Sequence, residues 1–175
     1  MPDSANVFLV GPMGSGKSAV GRQLARLLDL DFIDADAEIE RRTGVDVAYI
    51  FEREGEPRFR QREAAVIDEL TARARIVLAT GGGAVLDEGT RARLRERGRV
   101  VYLRASVNQQ LMRTRHGSHR PLLLNPDPRG TLERLMLERA PLYEGLAAVT
   151  VDTDGRKVKA VVEEIVQRLD VGREA

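Results

Sequence analysis

Gly11-Pro12-Met13-Gly14-Ser15-Gly16-Lys17-Ser18 is the stretch that decides the fold. It fits G-x-x-x-x-G-K-[ST], the pattern of a phosphate-binding loop. The apolar run Val7-Phe8-Leu9-Val10 precedes it, and Val20, Leu24, Leu27 and Leu28 follow at helical spacing. Strand, glycine loop and helix together are the context that such a loop needs. Glycines let the backbone wrap close to a polyphosphate with its N–H groups pointing inward. Lys17 can reach the outer phosphates, the Ser18 hydroxyl can ligate Mg²⁺, and the helix adds its positive N-terminal end. A flexible Gly/Ser turn explains the loop but not its flanks.

Outward from the loop, apolar strands alternate with amphipathic helices, the pattern of an α/β sheet. Strands are predicted at Asn6–Val10, Asp31–Asp34, Ile76–Ala79, Val100–Leu103 and Ala148–Asp152. Helices are predicted from Lys17, at Asp46–Phe51, Pro57–Thr71, Asp87 to Gly98, from Ser106, at Thr131–Ala140 and at Lys157–Leu169. Asp46 and Asp87 are suited to N-caps, and Pro57 to a first helical turn. Arg115–Gly130 holds His116, His119, three prolines and Asn125 without periodicity, which marks it as a mobile loop. The fold class is therefore α/β: a three-layer P-loop fold with a five-stranded parallel sheet flanked by helices, plus a mobile lid. Ligands of such sheets bind beyond the carboxyl ends of the strands. That gathers Gly11–Ser18, Asp34–Asp36, Thr80–Gly83 and the loops near Arg104 and Asp152 around one crevice.

The chain has 175 residues, enough for one domain with a real core. Its 28 basic and 27 acidic side chains leave a net charge of +1, which argues against nucleic-acid binding or a polybasic membrane anchor. Cysteine is absent, so disulfides and cysteine metal sites are excluded. No apolar run approaches a membrane span and no secretory pattern opens the chain. A cytoplasmic protein without nucleic-acid or membrane partners is expected, and a monomer. His116 and His119 have no acidic or further histidine neighbours and are taken as solvated loop residues.

The third strand, Ile76-Val77-Leu78-Ala79, ends without the aspartate that many phosphate-loop proteins place near magnesium. Asp34, at the end of the second strand, is the natural replacement. Either Asp34 or Asp36 is also expected to cap the helix over Ala37–Arg41. The triple glycine Gly81-Gly82-Gly83 permits close backbone approach by a ligand, or a plain strand-to-loop turn. Arg60 and Glu63 lie three apart on one helix, where an ordinary surface pair is the simpler reading.

Taken in order, Gly11–Ser18, Asp34-x-Asp36, Arg42-Thr43-Gly44, Phe59-Arg60-x-x-Glu63, Gly81-Gly82-Gly83, Arg120-Pro121-Leu122-Leu123 and Arg139-Ala140-Pro141-Leu142-Tyr143 closely resemble the shikimate kinase family. The resemblance runs from about Val7 to Thr153. It implies ATP-dependent phosphorylation of a shikimate hydroxyl, the 3-hydroxyl in the family. The products are shikimate 3-phosphate and ADP, on the route to chorismate and the aromatic amino acids. It implies Mg²⁺ held by Ser18 and Asp34, and ATP held by Gly14, Ser15, Gly16, Lys17, Ser18, Ala19, Arg113, Arg120 and Arg156. Shikimate would meet Asp36, Arg60, Gly82 and Arg139, with the carboxylate between the two arginines and Glu63 steadying Arg60. Lys17, Asp36 and Arg120 would carry catalysis. The whole chain, 1–175, would be one kinase domain, with a substrate-binding region over about 34–62 and a lid over about 113–129. The family often has a proline in the loop after Val151-Asp152-Thr153, and this chain has none; Arg156 and Arg113 are the candidates there for contacts to adenine.

Two other readings are open on the sequence. One is another small-molecule P-loop kinase, acting on gluconate, adenylylsulfate or a nucleoside monophosphate. The second is a nucleotide switch, since Asp152-Thr153-Asp154-Gly155 matches D-x-x-G. That match follows the last strand, and no N-K-x-D motif accompanies it.

Overall fold

The computed structural model describes residues 6–114 and 126–174. Five parallel strands form one sheet: β1 (Asn6–Val10), β2 (Asp31–Asp34), β3 (Ile76–Ala79), β4 (Gly98–Arg104) and β5 (Val149–Asp152). Their spatial order is β2-β3-β1-β4-β5. The register pairs Leu9 with Ala79, Val10 with Tyr102, Asp34 with Ala79 and Arg104 with Asp152. The carboxyl ends of all five strands therefore open on one edge, as the sequence predicts.

Alternation along the strands explains the two cores. Phe8, Val10, Leu78, Val100 and Tyr102 face one side of the sheet. There they pack under helices α2 (Ala35–Thr43), α3 (Val47–Glu54), α4 (Glu56–Thr71), α5 (Glu88–Arg97) and α7 (Pro128–Leu146). Val7, Leu9, Val77, Val101 and Leu103 face the other, under α1 (Lys17–Leu28) and α8 (Val158–Glu174). Helix α6 (Val107–Thr114) leads from β4 toward the segment 115–125. Among the described residues no helix is long and apolar enough to cross a membrane.

Several boundaries differ from those predicted. Helix α7 begins at Pro128, where Asp127 accepts a hydrogen bond from Gly130 N, so the loop expected through Gly130 is shorter. It also continues past Pro141 to Leu146. A mid-helix proline deprives the carbonyl four residues back of its donor. That residue is Leu137, which is 82% exposed, so water can take the donor's place. Helix α8 runs to Glu174 rather than ending near Leu169, and a 3₁₀ turn at Ala84–Leu86 was not foreseen. Arg120, His116 and His119, and most of the expected lid, lie outside the described residues.

Candidate active site

A cavity of about 510 Å³ opens at the carboxyl edge of the sheet. Its donor half is the glycine loop. Gly11 has φ 148°, and a Cβ there would lie 2.4 Å from the Leu103 carbonyl oxygen, so only glycine lets the loop leave β1 this closely. Gly14, Gly16, Lys17, Ser18 and Ala19 line the cavity, whereas the Ser15 side chain is buried behind it. Lys17 Nζ folds back and donates to the carbonyls of Gly11 at 2.7 Å and Pro12 at 2.9 Å.

The Ser18 hydroxyl donates to Asp34 Oδ2 at 2.5 Å. The other oxygen of Asp34 accepts from Ala37 N, so Asp34 is the N-cap of α2. The cap therefore holds the carboxylate rigidly against the first turn of α1. A hydroxyl and a carboxylate oxygen at this spacing form a hard oxygen pair of the kind magnesium uses beside phosphate oxygens. Among the described residues no larger group of histidine, aspartate or glutamate side chains could hold a metal.

The acceptor half gathers residues that are distant in sequence. A Cβ on Gly81 would lie 2.9 Å from Glu63 Oε2 and 3.1 Å from Asp36 Oδ1, so both carboxylates meet at this glycine. A Cβ on Gly83 would lie 2.3 Å from Arg60 Nη2, and one on Gly82 would lie 3.5 Å from Arg139 Nη1. Gly81 and Gly83 thus admit Glu63, Asp36 and Arg60 at close range, with Arg139 in ordinary contact at Gly82. Arg60 donates to Glu63 Oε1 at 2.9 Å and to Glu56 Oε1 at 3.3 Å. Its guanidinium also sits over the rings of Phe59 and Phe51, 5.2 and 5.8 Å from their centroids. The surface-pair reading of Arg60 and Glu63 is replaced by a buried one, since Glu63 is only 2% exposed. Arg139 is 4% exposed, and among the described residues it makes no salt bridge. Its Nε has no hydrogen-bond partner there.

At the far end, Arg113 lines the cavity and donates to Gly14 O and Thr153 O, joining the glycine loop to the exit of β5. The structure does not bring Arg156 into the cavity. Its guanidinium bonds Asp152 O, Glu164 Oε1 and Ala160 O, which directs it along α8.

The shikimate kinase family model matches residues 13–170. A shikimate kinase from Halorhodospira halophila is 56% identical over 94% of this chain and 93% of its own length. The chain belongs to the shikimate kinase family. Within that family, a shikimate kinase from Acinetobacter baumannii, solved in complex with shikimate, superposes with a TM-score of 0.94. It is 46% identical and covers 96% of this chain and 94% of its own. A gluconokinase from Sinorhizobium meliloti, 22% identical with a TM-score of 0.63, shares the fold alone.

Some lining residues of this kinase had no distinct sequence signal. Phe51, Val47 and Glu40 reach the cavity from α2 and α3. Phe51 could have been suspected only from being a large apolar residue on a short helix, which is weak. Phe59 was visible within the Phe-Arg-x-x-Glu motif, but its ring contact with Phe51, at 4.8 Å between centroids, was not.

Glu63 has an unusual proton affinity. Burial and then the nearby charge of Asp36 push its carboxyl from the ordinary 4.5 up to about 7, while Arg60 and Arg139 oppose the rise. The folded chain therefore binds more protons than the unfolded chain between about pH 4.5 and 7. The cost of ionising this group is absent below that window and grows through it as pH rises. Glu63→Gln removes the term, so melting temperature plotted against pH should fall less steeply from about 5 to 7 than in the wild type. Parallel curves for the two proteins would contradict a raised Glu63.

Proposed function

We propose that the chain transfers the γ-phosphoryl group of ATP to the 3-hydroxyl of shikimate, giving shikimate 3-phosphate and ADP. Arg139 carries this reading: a buried cation without a carboxylate partner among the described residues, facing a cavity that also holds Arg60. A charge left so is costly unless a ligand anion completes it. Two guanidinium forks suit the carboxylate of shikimate.

The remaining roles follow from position. Gly82 offers its backbone N–H to the ring substituents. Asp36, against Gly81, takes a hydrogen bond from the attacking hydroxyl and orients it. Phe51 and Phe59 give the cyclohexene ring an apolar wall. Lys17 leaves the carbonyls of Gly11 and Pro12 and pairs with the transferring phosphoryl group. Ser18 and Asp34 would hold Mg²⁺, which would offset phosphate charge. Arg113 flanks the adenine. Arg120 closes over the β- and γ-phosphates from the lid, excluding water and so suppressing ATP hydrolysis. The unit is the whole chain, 1–175, acting as a cytoplasmic monomer with its acceptor region at 34–62 and lid at 113–129.

ADP release coupled to a panel of acceptors tests the assignment. Turnover with shikimate and none with gluconate or a nucleoside monophosphate is expected; the reverse preference would overturn it.

A further inference from the structure

The hydroxyl of Tyr143 joins two parts of the acceptor site that come from separate elements. Tyr143 lies four residues after Arg139 on α7, so both project from one face of that helix. Its O–H donates to the Gly82 carbonyl oxygen at 2.5 Å, and the Arg139 guanidinium lies near enough to act on the phenol electrostatically. The ring is fully buried and packs on Tyr102 with centroids 5.0 Å apart, so the phenol has little freedom to swing.

Peptide geometry makes this contact consequential. A trans peptide holds a carbonyl and the following N–H in one plane, pointing in opposite directions. Fixing the Gly82 carbonyl toward α7 therefore fixes the Gly83 N–H on the opposite side of the peptide. Gly82 sits at ordinary contact distance from both sides. A Cβ on it would lie 3.5 Å from Met13 N, 3.6 Å from Gly11 O and 3.5 Å from Arg139 Nη1. The triple-glycine turn thus lies between the arginine helix and the phosphate loop, and the phenol tethers it by a side-chain hydrogen bond.

We propose that Tyr143 is a positioning residue for the acceptor. Its hydroxyl sets the Gly82–Gly83 peptide and the Arg139 guanidinium together, so the ligand carboxylate meets a preformed site. This inference rests on the shikimate reading above. Burial also keeps the phenol protonated, since it pushes the hydroxyl's pKa upward. The competing role is that of a core aromatic whose hydroxyl is merely satisfied.

Tyr143→Phe separates the two, because it keeps the ring and removes only the donor. The shikimate KM is expected to rise about tenfold, as for a buried carbonyl left without its partner. The kcat and the ATP KM should stay within about threefold, the pattern of lost binding rather than lost chemistry. Tyr102→Phe is the control. Its hydroxyl is buried with no hydrogen-bond partner among the described residues, so its removal should leave the shikimate KM unchanged. A lowered melting temperature in Tyr143→Phe with an unchanged shikimate KM would overturn the positioning role, as would an equal rise in the ATP KM. A wild-type chain that ignores shikimate would overturn the acceptor reading and this inference with it. A working wild type beside an indifferent Tyr143→Phe would overturn the inference alone.

Discussion

Lys17→Ala is expected to lower kcat by on the order of 10²–10³-fold while the shikimate KM changes by less than about threefold. Nζ occupies the mouth of the glycine loop, where its hydrogen bonds go to the carbonyls of Gly11 and Pro12. Those oxygens are partners that arriving phosphate oxygens can replace, and charged acceptors hold an ammonium more strongly than neutral ones. The charge that develops on the transferring phosphoryl group is what the lysine can stabilise, so the loss falls on the chemical step. The proposed shikimate side of the cavity is lined by Arg60, Asp36 and Arg139, none of which this substitution touches. Steady-state kinetics by coupled ADP release separates the effects. Comparable losses in shikimate binding and turnover would show that Lys17 does something broader than serve the phosphate.

Arg139→Leu is expected to raise the shikimate KM by roughly 10²-fold, the scale of losing a charge-assisted bidentate pair. Its second outcome is more diagnostic: the ligand-free protein should melt no lower than the wild type. Arg139 is buried and makes no salt bridge among the described residues; its charge acts on Glu63 without direct contact, so it is only partly offset until a ligand arrives. An apolar side chain of similar volume removes that burden. Arg60→Ala should behave differently. Arg60 already pairs with Glu63 and Glu56 and stacks on two phenylalanine rings, so removing it costs stability as well as binding. A large fall in melting temperature for Arg139→Leu with an unchanged shikimate KM would mean that Arg139 is structural.

What the sequence revealed depended on how local the signal was. The glycine loop, the strands and the caps at Asp46 and Asp87 are written in consecutive residues, and the structure has them in place. Asp34 could be singled out because β3 ends without an acid, and the structure places it in hydrogen-bond contact with Ser18. Arg60, Gly82 and Arg139 were nominated only through family resemblance. No spacing rule says that residues on α4 and α7 converge on a glycine loop. The fate of Arg156 was equally hidden. Charge alone does not distinguish an arginine facing a nucleotide from one tied to Glu164 on the next helix. Pro128 and Pro141 misled in opposite ways. A proline can open a helix, as at Pro128, or sit within one where the orphaned carbonyl faces water, as at Pro141. The proton affinity of Glu63 and the bond from Tyr143 to Gly82 depend on tertiary burial and leave no trace in sequence.

A carboxylate clamp built from Arg60 and Arg139 makes a sharp demand on the acceptor. Turnover should be compared between shikimate and its analogue with the carboxylate reduced to a primary alcohol, in wild type and in Arg139→Leu. The wild type should favour shikimate in kcat/KM by on the order of 10²-fold or more, and Arg139→Leu should lose most of that preference. Equal kcat/KM for the two acceptors in the wild type, or an undiminished preference in Arg139→Leu, would contradict the clamp.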